Sequence, residues 1–184
     1  MAGCSNHELP ASMLEEDSDD DESDTESMCG DFDEQGLIHS LDRKGITDPR
    51  ALLESGGNSI DANATFWLAK ISEECIEISD DGKGMTWDQA KQATKIYGGA
   101  SSVEDRKSIG CFGLGLHAAL KKLSRDGTPI IFTRAQDGSY IKITIPWSQI
   151  IELKQYTGLV RMTLMTQEER KYFKENLPKE VGTI

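Results

Sequence analysis

The chain lacks the residue patterns that build metal clusters, disulfide frameworks or membrane spans. Its four cysteines (Cys4, Cys29, Cys75 and Cys111) are widely scattered with no C-x-x-C pair, so neither a zinc site nor a disulfide set is expected. The three histidines, His7, His39 and His117, form no ligand cluster. No apolar run approaches the roughly 20 residues of a membrane-spanning helix. The N-terminus has no basic segment followed by an apolar one, so no signal peptide is expected. Lysine and arginine are missing altogether from residues 1–34, which hold 13 of the 32 acidic residues and so carry a charge of −13. The other 150 residues hold 19 acidic and 20 basic side chains and are nearly neutral. The low isoelectric point therefore belongs to a tail, and the body lacks the basic field of a nucleic-acid binder.

What is present begins with that tail. Leu14–Glu26 offers too little apolar surface to offset chain entropy, so residues 1–34 are read as a disordered acidic tail. Ser18 and Ser23 each have an acidic residue three positions on, a pattern suited to kinases that prefer acidic surroundings. A solvating tail is the commoner role for such a run. The expectation is a soluble protein of a reducing compartment, cytoplasm or nucleus, with no membrane and no direct nucleic-acid partner.

Residues 35–47 read as a linker or lead-in. From residue 48 onward the chain alternates helix and strand signals. Asp48-Pro49 opens a helix that runs to about Ala62. Ala64–Lys70 and Cys75–Ser79 are rich in β-branched and aromatic residues, as strands are. Thr86 and Gln89 form a capping box for a helix to about Tyr97, and a second helix covers Leu114–Ser124. Pro129–Arg134 is a strand, followed by an Asp137-Gly138 hairpin turn. Ile141, Ile143 and Ile145 then alternate with polar residues, which buries one strand face. Leu159–Met165 is another strand, Thr166–Glu169 caps a short helix, and Gly182–Ile184 reads as a strand cut off at its start. This order argues for an α/β two-layer sandwich, with helices on one face of a mixed sheet.

Three segments carry chemistry. In the first, Glu54 and Asn58 are four residues apart and share a helix face. The Asn58 amide oxygen suits Mg²⁺, a hard cation that keeps several waters, and Glu54 can orient and deprotonate an attacking water. In the second, Asp80 ends a strand, where its carboxylate can accept from an adenine amino group. Gly82 and Gly84 clear the turn for a flat base, and Met85 can pack on the ring. In the third, Gly110, Gly113 and Gly115 open onto an apolar helical run beginning at Leu114. Glycine backbone and free N–H groups at a helix start make a phosphate site. Taken singly, these are also a solvated polar face, an Asp-Gly turn and a close-packed helix end.

Their order and spacing resemble the GHKL ATPase superfamily, which includes gyrase B, the heat-shock chaperones, sensor histidine kinases and MutL. The likeness is E-x₃-N, then D-x-G-x-G 22 residues after Asn58, then G-x₂-G-x-G 26 residues beyond Gly84. It covers residues 48–184. Asn58–Thr65 looks like the MutL and MORC form, while Asp80–Thr86 and Ile109–Leu116 are similar to the chaperone and MORC forms. The resemblance implies the Bergerat ATP-binding fold, ATP and Mg²⁺ as ligands, and slow hydrolysis. It implies Glu54 as general base, Asn58 as metal ligand, and Asp80 as the adenine contact with Gly84 nearby through water. Gly98–Ile109 would be the ATP lid, backbone amides around Gly113 and Gly115 would hold phosphates, and Thr183 would stand beside Asp80. A nucleotide-dependent homodimer is implied too. Gly56 and Gly57 depart from a good helix, each costing about 1 kcal/mol against alanine, so that helix is expected to be bent or loosely held. A core strand is expected to continue past Ile184, so the domain reads as C-terminally incomplete. A histidine-kinase catalytic domain is disfavoured, since His39-Ser-Leu-Asp42 lacks the phosphoacceptor pattern.

Overall fold

The computed structural model describes residues 33–43, 45–95, 114–177, 179 and 181–184. The acidic segment 1–32, the lid segment 98–109 and the glycines Gly110 and Gly113 lie outside the described residues. Helix α1 (Glu34–Arg43) begins at the last residue of the segment read as tail and runs into the one read as a linker or lead-in. Its Ile38 and Leu41 enter the main core, and Glu34 accepts from the Tyr156 N–H at 2.6 Å.

Helix α2 (Asp48–Asp61) is one uninterrupted run through Gly56 and Gly57. Thr47 takes the N-cap place with extended backbone, one residue earlier than expected, and Pro49 sits in the first turn where its missing N–H costs nothing. Strands β1 (Trp67–Ile71) and β2 (Ile76–Asp80) follow as an antiparallel pair. Helix α3 (Trp87–Ala93) begins at the Thr86/Gln89 capping box, with both reciprocal bonds formed. It ends four residues short of Tyr97, which lies outside the described residues. Helix α4 (Leu114–Leu123) leads into the hairpin of β3 (Ile130–Arg134) and β4 (Tyr140–Thr144). A helix with no counterpart in the sequence reading, α5 (Trp147–Leu153), separates β4 from β5 (Arg161–Leu164). Helix α6 (Gln167–Asn176) starts at a second capping box, Thr166/Glu169. The chain then returns as β6 (Gly182–Thr183).

The strand order is β1-β2-β6-β3-β4-β5. The α/β sandwich is as expected, and two of its details differ. The sheet is antiparallel in every described pairing rather than mixed, because β6 runs opposite to both neighbours, β2 and β3. The helices do not all share one face. Ile131, Ile141 and Ile143 point into the core shared with α1, α3, α4 and α5, and α2 packs along α4. The alternate residues Phe132 and Tyr140 point the other way, onto Phe173 of α6. There Lys142 also pairs with Glu169 at 2.5 Å. Strand β6 thus lies inside the sheet, between β2 and β3. Ile184 extends its pairing by two 2.8 Å bonds to Phe132.

Candidate functional site

Asp80 ends β2 on the helix-rich face, and two donors fix its carboxylate. The Gly82 N–H donates to Oδ1 at 2.9 Å and the Ser59 hydroxyl of α2 donates to Oδ2 at 3.1 Å. Burial pushes this carboxyl above the usual aspartate range, while those two hydrogen bonds pull it down. A carboxylate offers about four acceptor positions, so capacity remains for a ligand donor.

The loop after Asp80 lies flush on its neighbours. A Cβ at Gly82 would come within 2.7 Å of the Ala62 Cβ and 2.9 Å of Asp80 Oδ1. Gly84 adopts φ +62°, and a Cβ there would overlap the Arg134 carbonyl. The Lys83 N–H donates to the Ala62 carbonyl at 2.9 Å, tying the loop to the end of α2. Met85 is half-buried against the core, and its N–H donates to Thr133 Oγ1 at 2.9 Å. Thr183 stands directly across from Asp80 in the β2–β6 register, and its hydroxyl is 3.2 Å from that of Thr133.

The other end of the site lies one and a half turns back along α2. Glu54 and Asn58 line a cavity of about 520 Å³ together with Thr47, Pro49, Arg50, Leu53 and Gly57. Asp80, Gly82, Gly84 and Met85 are not among its lining. Glu54 Oε2 reaches α4: a Cβ added at Gly115 would sit 2.8 Å from it. Leu114 and Gly115 are the first described residues of α4. The Leu114 side chain itself is buried in the core. Arg50 Nε lies 3.9 Å from Glu54 Oε1 on the exposed side of α2. One helix therefore touches both ends, Glu54 toward Gly115 and Ser59 toward Asp80. At about 1.5 Å rise per residue the two are roughly 7.5 Å apart along the axis.

Several residues here were invisible from sequence. Ser59 lies within the Asn58–Thr65 stretch, but only the fold shows its bond to Asp80. Asp81 is buried and accepts from the Thr65 N–H, the Thr65 hydroxyl and the Phe66 N–H, each at 2.7 Å. Lys179 closes on it at 2.5 Å and, with Thr65, holds its carboxyl well below the usual range. His117, on α4, is fully buried, with Nδ1 3.4 Å from the Tyr156 hydroxyl. Burial pushes its imidazole down to about 4.

Among the described residues no group of three or more His, Cys, Asp or Glu side chains could cage a metal. Mg²⁺ bound to nucleotide needs less, since phosphates and water supply most of its oxygens. The Asn58 carboxamide, half-buried at the cavity beside Glu54, is a donor of that kind. Among the described residues, no helix is long and apolar enough to cross a membrane. No curated protein aligns with the chain at a significant level. The family described as "Histidine kinase-, DNA gyrase B-, and HSP90-like ATPase" does match, over residues 46–183. That span runs from the lead-in to α2 through the threonine opposite Asp80, and the chain belongs to this family of GHKL-type ATP-binding domains.

Proposed function

We propose that the domain binds ATP with Mg²⁺ across α2 and hydrolyses it slowly. The observation that carries this is the double contact of α2: Ser59 bonded to Asp80 at one end, and Glu54 against Gly115 at the start of α4 at the other. Asp80 takes the adenine amino group, with Gly82, Gly84 and Met85 giving the base a flat wall and Thr183 beside it. The N–H groups of Leu114 and Gly115, with the sequence-assigned Gly110 and Gly113, hold phosphate oxygens at a helix start. Asn58 offers its amide oxygen to the metal, and bound Mg²⁺ supplies neutralisation of the phosphate charge. Glu54 orients a water and takes its proton. As the water oxygen bonds to the terminal phosphorus, the bond to the bridging oxygen breaks and ADP leaves.

The lid assignment of residues 98–109 extends this reading to a switch. Bound nucleotide orders the lid, and the ordered lid drives a conformational change or self-association in a soluble intracellular protein. The MORC, MutL and chaperone relatives are the forms its motifs favour. A second reading is nucleotide binding without useful turnover. Arg50 favours it, since its guanidinium lies 3.9 Å from Glu54 Oε1 and competes with a water for that oxygen.

One pair of assays separates the readings. Glu54→Ala should lower ATP turnover by about 10²-fold or more while ATP affinity stays within about threefold. Turnover that survives the substitution removes Glu54 from its role. Wild-type turnover at the buffer rate, with binding intact, establishes the second reading.

A further inference from the structure

We propose that Thr133 is a positioning residue that selects the nucleotide base. It fixes the hydroxyl proton of Thr183 so that the Asp80–Thr183 pair presents acceptors only. The inference rests on the ATP-site reading above and deepens it.

Thr133 sits on β3, is fully buried and makes three polar contacts through Oγ1. The Met85 N–H donates to it at 2.9 Å. The Gly182 carbonyl lies at 3.2 Å and can only accept. The Thr183 hydroxyl lies at 3.2 Å and could play either part. A hydroxyl has one proton and two lone pairs. Met85 occupies one lone pair, and the proton goes to Gly182. All three contacts are satisfied together only when Thr183 donates to the second lone pair. A buried polar group left unmatched is costly, which favours this wiring.

The consequence appears across the strand. Thr183 has spent its proton on Thr133, so toward the base it shows lone pairs. Asp80, its cross-strand neighbour, accepts from Ser59 and Gly82 and likewise offers lone pairs. Two adjacent acceptors match an exocyclic amino group, with its two hydrogens, and repel a carbonyl oxygen in the same place. The site thereby rejects a 6-oxo purine by leaving its acceptors facing another acceptor, the kind of mismatch that discriminates most strongly. Without the Thr133 hydroxyl, Thr183 is free to turn its proton toward the ligand.

The test is calorimetric titration of the whole chain with ATP and with inosine triphosphate, in which a carbonyl replaces the amino group and the neighbouring N1 gains a hydrogen. Wild type should prefer ATP. Thr133→Val should narrow that preference about tenfold, chiefly through tighter inosine triphosphate binding, and Thr133→Ser should restore it. A folded Thr133→Val with the wild-type ratio overturns the proposal and leaves ATP binding standing. If Thr133→Val does not fold, Thr133→Cys, nearly the same size and a poor hydrogen-bonding group, takes its place under the same two outcomes. A wild type that binds neither nucleotide overturns the ATP reading and this inference together.

Discussion

Two buried ionisable groups near the site are held in opposite ways. Asp81 is buried as an anion because four donors surround it, and it fastens the start of β1 and the segment before β6 to the site. Replacing it by alanine strands the Thr65 and Phe66 donors, and Asp81→Ala should cost about 2 kcal/mol in a urea titration. A loss below about 0.5 kcal/mol would show those donors satisfied elsewhere. His117 is buried neutral, with its folded value near 4 against 6.5 in the open chain. Between those values the unfolded chain binds a proton that the folded chain refuses, so stability falls as pH drops through that window. The full span is worth about 3 kcal/mol. The urea midpoint should decline from pH 7 to pH 5, and His117→Leu should flatten the decline. An equal slope in the variant would assign the acid sensitivity to other groups.

At the scale of elements, α2 matters most, because it carries Glu54, Asn58 and Ser59. It runs without a break through its paired glycines and packs along α4. A Cβ at Gly56 meets nothing within 4 Å. Gly56→Ala should therefore stabilise the protein by about 1 kcal/mol, read as a raised thermal midpoint; destabilisation would mean the glycine backbone is strained there. The elements that sequence made legible are those with local signals. The Thr86/Gln89 and Thr166/Glu169 capping boxes mark α3 and α6, and the Ile141, Ile143, Ile145 alternation marks β4. Glu54 with Asn58, and Asp80 with its glycines, were readable because each is a short motif. What stayed hidden depends on distant partners. The position of α6 on the opposite face follows from Phe173 meeting Tyr140 and from Lys142 meeting Glu169. Helix α5 was missed because it is short and starts at Pro146 without a side-chain cap. Ser59 joins the site through a bond spanning 21 residues, and Thr133 through contacts spanning 48 to 50.

Among the described residues, helices flank an antiparallel sheet in which β6 brings Thr183 between the Asp80 strand and the Thr133 strand. A ligand gripping α2, β2 and α4 together binds only the folded state. Mg-ATP at a hundredfold excess over its dissociation constant should raise unfolding free energy by about 2.7 kcal/mol, and an unmoved urea midpoint would speak against that binding. If nucleotide drives association, sedimentation should show a dimer with a non-hydrolysable ATP analogue and a monomer without nucleotide; one unchanging species would remove the association switch. The most direct measurement is calorimetric titration of ATP, with and without Mg²⁺, into the wild type and Asp80→Asn. Saturable binding by the wild type, weakened about tenfold or more in a folded Asp80→Asn, is the predicted result. Equal affinity in the two proteins, or no binding by the wild type, would contradict an adenine site at the end of β2.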